Sequence, residues 1–245
     1  MKPFVTDLID FIYPPVCAVC TADLERSDSW NLCPRCRGEI AYIEPPFCAR
    51  CGRPFAHEPD FEHLCGECIT RPRHYRRARA VGHYRGMLRS ALHLLKYRLK
   101  QPLAPTLGSI MTERLPFLEA EWIYDLVVPV PLHPRRLRGR GFNQALYLAS
   151  SLSRHLRVPL DRLTLKRMRC TQSQVGLSAT GRASNVKGAF VVARPHAIRN
   201  KTILLIDDMY TSGSTVDECS RVLVVAGAES VDVLTLARVS ERGLQ

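Results

Sequence analysis

The sequence predicts an α/β fold, a parallel sheet flanked by helices, preceded by a small cysteine-rich metal-binding region. Three observations carry this. The apolar run Ile203–Ile206 ends in an acidic pair, Asp207-Asp208, and leads within two residues into Thr211-Ser212-Gly213-Ser214-Thr215. A second apolar run, Tyr124 to Val130, enters an arginine-rich connection and then a helical pattern. Four CxxC pairs, Cys17/Cys20, Cys33/Cys36, Cys48/Cys51 and Cys65/Cys68, crowd the amino-terminal part. Short, uniformly apolar runs read as strands covered on both faces, as in parallel sheets.

The Lys201–Thr215 stretch organises the rest. After it, Val216, Cys219, Leu223 and Ala226 recur at helical spacing before Gly227. The Thr/Ser/Gly loop therefore joins the carboxyl end of a central strand to a helix N-terminus, where open α/β sheets bind ligands. Gly213 allows close backbone approach, and the first helix amides favour an anion. Hydroxyls at 211, 212, 214 and 215 add donors suited to a phosphate monoester, while the two carboxylates suit vicinal ribose hydroxyls or a metal-bound sugar. GxxxxGK[ST] is absent, and the acids precede the loop instead of following it by about twenty residues, so neither a Walker loop nor a dinucleotide fold fits. The competing reading is a strand whose Asp pair only caps the next helix. The stretch resembles the phosphoribosyl pyrophosphate (PRPP) motif of type I phosphoribosyltransferases. That resemblance implies that Asp207 and Asp208 face the ribose hydroxyls, that Thr211, Ser212, Gly213, Ser214 and Thr215 hold the 5′-phosphate, and that Mg2+ accompanies PRPP.

Composition sets the bounds. The 245 residues suffice for one α/β domain plus a small appendage, and 46% apolar content is ordinary for an enzyme-like protein. With 35 Lys+Arg against 23 Asp+Glu, the net charge of +12 points to polyanionic partners such as nucleic acid or phosphorylated ligands. No apolar run approaches the ~20 residues of a membrane span. The start, MKPFVTDLIDFIYPP, carries acids within its apolar pattern and no small-residue cleavage site. A cytoplasmic protein without membrane insertion is expected, its ten cysteines thiols rather than disulfides.

Phe4, Val5, Leu8, Ile9 and Ile12 fit a short helix stopped by Pro14-Pro15. In the cysteine region each CxxC can place two thiolates on one ion, and two pairs complete a tetrahedral site. The simplest count is two structural zinc ions per chain. Sequential pairing needs shorter connections than interleaved pairing and is preferred, though spacing does not exclude the latter. Four redox CxxC motifs without a thioredoxin-like βαβ context are the disfavoured alternative. His57 and His63 are loop residues that the cysteine count makes unnecessary as ligands; Cys219 reads as core and Cys170 as a free thiol.

Three regions follow: residues 1–70 with the N-terminal helix and double ribbon, a basic hinge over 71–83, and the α/β domain over 84–245. The hinge carries Arg71, Arg73, Arg76, Arg77 and Arg79, with a strand expected from Ala80 to Tyr84. Met87, Leu88, Ala91, Leu92, Leu95 and Leu99 trace an amphipathic helix with Arg89, Lys96 and Lys100 on its other face. Most charged helix faces are simply solvated, but basic residues beside a phosphate-binding fold make an anion-binding surface the competing reading. Trp30, Tyr42, Phe47, Phe55 and Phe61 are the ribbons' stacking candidates.

In the core, the segment from Pro131 to Gly141 is expected to be an anion-receptive loop before a helix bearing Ala145, Leu148, Ala149, Leu152 and Leu156. The resemblance to type I phosphoribosyltransferases implies that this loop meets pyrophosphate; Arg138, Arg140, Asn143 and Gln144 are the candidates, since Pro129 and Pro131 lack amide donors. Lys166 to Lys187 reads as a long polar loop, functional or mobile. The same resemblance implies a flexible loop here that closes over the ligand, with Arg182 and Lys96 as further pyrophosphate candidates. Phe190–Val192 and Ser230–Ala237 complete the strands.

YRGMLRSALHLLKY (84–97), VVPVPLHPRRLRGRGFNQA (127–145), RASNVKGAF (182–190) and LLIDDMYTSGST (204–215), together with the CxxC region, resemble the ComF family. Ser212 stands where Thr is common there, keeping the hydroxyl. The resemblance implies a type I phosphoribosyltransferase-like domain with an N-terminal double zinc ribbon, associated with natural competence and with single-stranded DNA after uptake. PRPP, single-stranded DNA and competence-machinery proteins are the implied partners. Two alternatives remain from the residues: an active phosphoribosyltransferase of nucleotide or base metabolism, and a zinc-ribbon nucleic-acid binder with a vestigial core. Retention of the acid pair and the full loop argues against the latter.

Overall fold

The computed structural model describes residues 14–24, 31–55, 63–97, 102–118, 123–170 and 179–239. The expected helix over Phe4–Ile12, and Trp30, His57, Phe61, Leu99 and Lys100, lie outside them. In chain order the elements are α1 (Pro34–Gly38), α2 (Gly66–Thr70), β1 (Arg77–His83), α3 (Gly86–Tyr97), α4 (Leu103–Leu118), β2 (Leu126–Pro129), α5 (Pro134–Arg140), α6 (Gln144–Leu156), β3 (Leu165–Arg167), α7 (Ala179–Val186), β4 (Phe190–Val192), β5 (Thr202–Tyr210), α8 (Ser214–Val225) and β6 (Ser230–Arg238).

The sheet runs β1-β6-β5-β2, all parallel, and a single bridge from Val127 to Leu160 extends it beyond β2. Alternation along the strands divides the core in two. Leu204, Ile206, Leu234 and Leu236 face α3, α4 and α6, burying Leu92, Ile110 and Leu148 among others. Ile203, Leu205, Val231 and Val233 face α8 through Val216, Cys219 and Leu223. Each face also takes one half of the cysteine region: Cys17, Cys33 and Cys36 join the first core, and Cys48, Cys51, Cys65 and Cys68 the second.

Three segments differ from the sequence reading. The basic hinge is strand from Arg77 onward, because the edge arginines find partners on β6: Asp232 accepts from both Arg76 and Arg77. The arginine-rich loop after β2 contains helix α5. Its ends are capped: His133 Nδ1 accepts the Arg135 N–H at 3.2 Å, Pro134 opens the first turn, and Gly141 closes it at φ 78°. The long polar segment holds β3 and α7; β3 pairs antiparallel with β4 outside the main sheet. β5 also outruns its apolar stretch, so Asp207 and Asp208 lie within the strand, with Asp207 in register with Thr235.

Candidate functional site

The carboxyl end of β5 gathers the candidate ligand groups. Pairing continues to Tyr210, in register with Arg238, so strand geometry fixes both acids. The Asp208 N–H donates to Asp207 Oδ1 at 2.8 Å. Lys96, near the end of α3, reaches over and places Nζ 2.5 Å from Asp208 Oδ2. Burial, and next the Asp208 carboxylate, push Asp207 up to about 8. Lys96 is opposed by burial, but Asp208 outweighs it and holds its ammonium above the ordinary lysine value. The pair thus holds one carboxylate matched by Lys96 and one carboxyl that stays protonated until about pH 8, at the mouth of the sheet.

The turn that follows is shaped by Gly213, the N-terminal cap of α8, at φ 77°. A Cβ there would fall on the Tyr210 hydroxyl and 2.6 Å from its Cζ, so no larger residue fits without moving the ring. Thr211, Ser212, Ser214 and Thr215 are all half-buried, and the Ser212 and Ser214 hydroxyls lie 2.8 Å apart. Four hydroxyls and the first-turn amides of a twelve-residue helix therefore surround one turn.

β2 ends beside β5, with the Val130 N–H donating to Ile206 O at 2.8 Å, so the connection from β2 to α5 leaves the sheet next to the acid pair. Of the pyrophosphate candidates, Arg138 is exposed, and Arg140 donates to Gln144 Oε1 at 3.1 Å. Asn143 is a structural cap: Oδ1 accepts the Ala145 N–H and Nδ2 donates to Val130 O, both at 3.1 Å. Gln144 is only 2% exposed, and its Nε2 has no hydrogen-bond partner among the described residues. Arg182 belongs to α7; its side chain is outside the description.

Sequence reading missed Arg136 and Arg167. Arg167, on β3, is buried, with its guanidinium 5.2 Å above the Phe190 ring. Burial and the nearby Arg136 guanidinium lower its pKa, while Cys219 and Asp207 oppose them. The Leu165-Lys166-Arg167 alternation was the available signal, hidden by the polar residues after it.

The metal centres fall as the sequential pairing predicts: Cys17, Cys20, Cys33 and Cys36 form one group, Cys48, Cys51, Cys65 and Cys68 the other. Within each, all four Sγ atoms lie within 4.8 Å of one another. Backbone amides of Cys36, Cys51 and Cys65 donate to Sγ atoms at 3.3–3.5 Å, which favours thiolates. The residues fit two closed, structural zinc sites. His63 is exposed and stands outside both groups. Cys219 is fully buried and Cys170 exposed, as read.

Four of the five hinge arginines are engaged within the fold. Arg73 pairs with Glu67. Arg76 and Arg77 grip the fully buried Asp232, which also accepts from Tyr124 at 2.7 Å. Arg79 is 7% exposed, donates to Ala49 O at 3.0 Å and stacks 4.6 Å over Phe47. The ribbon aromatics are occupied too: Tyr42 lies under Arg114 at 4.3 Å and Phe55 packs against the second core. Among the described residues, no helix is long and apolar enough to cross a membrane.

Comparison with known proteins agrees with this architecture. Residues 8–69 match the double zinc ribbon domain and residues 143–245 the phosphoribosyl transferase domain. The chain is 33% identical over 231 residues to the DNA utilization protein YhgH of Escherichia coli K12, covering 92% of this chain and 97% of the relative. It is 31% identical to Competence protein F of Haemophilus influenzae, over 91% and 96% of the two chains. Competence protein ComFC of Bacillus subtilis is 27% identical, over 93% and 96%. A double zinc ribbon joined to a phosphoribosyltransferase-like sheet, in relatives spanned end to end, places the chain in the ComF family.

Proposed function

We propose that this protein binds PRPP with Mg2+ and assists the handling of incoming single-stranded DNA in natural competence, on the cytoplasmic side. The observation that carries the PRPP reading is the acid pair and four-hydroxyl turn at the end of one central parallel strand. Asp207 and Asp208 accept the ribose hydroxyls, and residues 211–215 with the α8 amides take the 5′-phosphate. Gln144 offers an uncommitted buried donor to the pyrophosphate side, supported by Arg138, Arg140, Arg182 and Lys96. Magnesium, when bound with PRPP, supplies charge neutralisation of the pyrophosphate.

The DNA reading rests on the relatives' names and on the net charge of +12. With most of the hinge arginines engaged within the fold, exposed cations among the described residues include Arg85 and Arg89 at the start of α3 and Arg135 and Arg138 on α5. Competence-machinery proteins are further partners under this reading. The test is fluorescence anisotropy of labelled single-stranded DNA over a salt series. Binding is expected to weaken steeply with salt, by about 0.7 log units per phosphate contact for each tenfold increase. Arg135→Ala/Arg138→Ala should flatten that slope by about 1 without loss of fold. No binding at low salt would remove DNA from the account.

A further inference from the structure

The second cysteine group is built into the edge of the sheet, directly behind the Thr/Ser/Gly turn. Its first knuckle gives up three successive carbonyls to the strands. Ala49 O accepts from Arg79 at 3.0 Å, Arg50 O from the Ala78 N–H at 2.7 Å, and Cys51 O from Arg238 Nη1 at 2.6 Å. Arg238 Nη2 also lies 3.7 Å from Cys51 Sγ. The same guanidinium sits 4.2 Å over the Tyr210 ring. Tyr210, 3% exposed, hydrogen-bonds Tyr75 hydroxyl to hydroxyl at 2.8 Å and fills the space beneath Gly213. One unbroken path of contacts thus runs from a metal-binding thiolate to the turn: Cys51, Arg238, Tyr210, Gly213.

A second strap runs parallel to it. Glu67, between Cys65 and Cys68, pairs with Arg73 and, at 2.8 Å, with Arg53. The next residue, His74, donates its N–H to Asp217 Oδ1 at 2.7 Å, on the first turn of α8. Tyr75 follows and meets Tyr210. The first cysteine group makes its contacts elsewhere: the Asn31 side chain donates to Pro102 O at 2.8 Å, and Arg37 pairs with Glu113 of α4 at 2.5 Å.

We propose that the second metal centre is a positioning element of the ligand site, holding the 211–215 turn through Arg238, Tyr210 and Tyr75, and that the first centre is not. The physical reason lies in Arg238. Arg238 is 6% exposed, and the sulfur of a metal-site cysteine, a carbonyl and an aromatic face are what satisfy its guanidinium. Loss of the ion frees the knuckle, and with it the Cys51 carbonyl and sulfur that hold the Arg238 guanidinium in place. Arg238 then leaves Tyr210, and the Gly213 turn loses its floor. This rests on the reading of residues 211–215 as the 5′-phosphate turn.

The experiment compares Cys17→Ser/Cys20→Ser with Cys65→Ser/Cys68→Ser, each checked by metal analysis to have lost one equivalent. Two readouts are taken: ribose 5-phosphate affinity by calorimetry, and hydrogen exchange of amides 211–217. The second-centre variant should lose at least about tenfold in affinity and exchange those amides at least about tenfold faster, while β5 stays protected. The first-centre variant should stay within about twofold on both. Tyr75→Phe and Tyr210→Phe keep both metals and should weaken ribose 5-phosphate binding about 3–10-fold, which keeps the test decisive should the cysteine variant not fold. Equal effects from both centres, or unchanged exchange in both the second-centre and the tyrosine variants, would overturn the proposal. Failure of the wild type to bind ribose 5-phosphate or PRPP would strike the phosphoribosyl reading instead, and the exchange data alone would then decide the coupling.

Discussion

Lys96 Nζ lies 2.5 Å from Asp208 Oδ2, so a helix of the first core neutralises one member of the acid pair from across the sheet edge. Asp207 is left to burial and to its neighbour's charge, and ionises only near pH 8. A carboxyl raised in the folded state contributes stability that is full below its unfolded value of about 4, and this is lost as pH rises through about 8. Asp207→Asn is therefore expected to stabilise the ligand-free protein at pH 9, on the order of 1–3 kcal/mol, and to have little effect near pH 4. Thermal melts across pH read this directly, and no gain at pH 9 contradicts it.

The opposite case is Asp232. Burial works to raise its pKa, but hydrogen bonds from Arg76 and Tyr124 and the charge of Arg77 outweigh it and hold it below the usual carboxylate range. Its contribution is present above the unfolded value and lost as pH falls through the lowered one. Arg76→Ala/Arg77→Ala leaves that buried charge held by Tyr124 and is expected to cost roughly 3–5 kcal/mol at pH 7, with the deficit shrinking toward pH 3. Urea unfolding within about 0.5 kcal/mol of wild type would show the arginines to be ordinary surface residues.

For the metal centres, protein purified without chelator is expected to carry two zinc equivalents per chain. Cys48→Ser should lose one, from the group it shares with Cys51, Cys65 and Cys68. Because that group joins the second core, the variant should also unfold at lower denaturant, by about 2–5 kcal/mol. Retention of both equivalents, or release of both together, would contradict two independent closed sites.

Much of this was legible in the chain. An apolar run ending in two acids and a hydroxyl-rich turn needs no tertiary information, and the CxxC spacing favours the sequential pairing that the sulfur positions then bring together. What stayed hidden depended on partners distant in sequence. Arg76 and Arg77 look like a solvated hinge until β6 brings Asp232 beside them, 156 and 155 residues away. Tyr210 reads as a spacer between the acids and the turn, yet it is the floor of that turn because Tyr75 and Arg238 fix its ring. Helix α5 was hidden although His133, Pro134 and Gly141 are its cap signals, because Pro134–Arg140 carries one large apolar side chain, Leu137, and so shows no apolar period.

The central claim, that the acid pair and the following turn form a PRPP site, is tested most directly by titration calorimetry with PRPP and Mg2+ at pH 8.5, where Asp207 is largely ionised on the value of about 8. Wild-type protein is expected to bind with one site per chain. Asp207→Asn/Asp208→Asn, and separately Gly213→Val, should each weaken binding by about thirtyfold or more, roughly 2 kcal/mol. Undiminished affinity in both variants, or no binding by folded, zinc-replete wild type, would contradict the account.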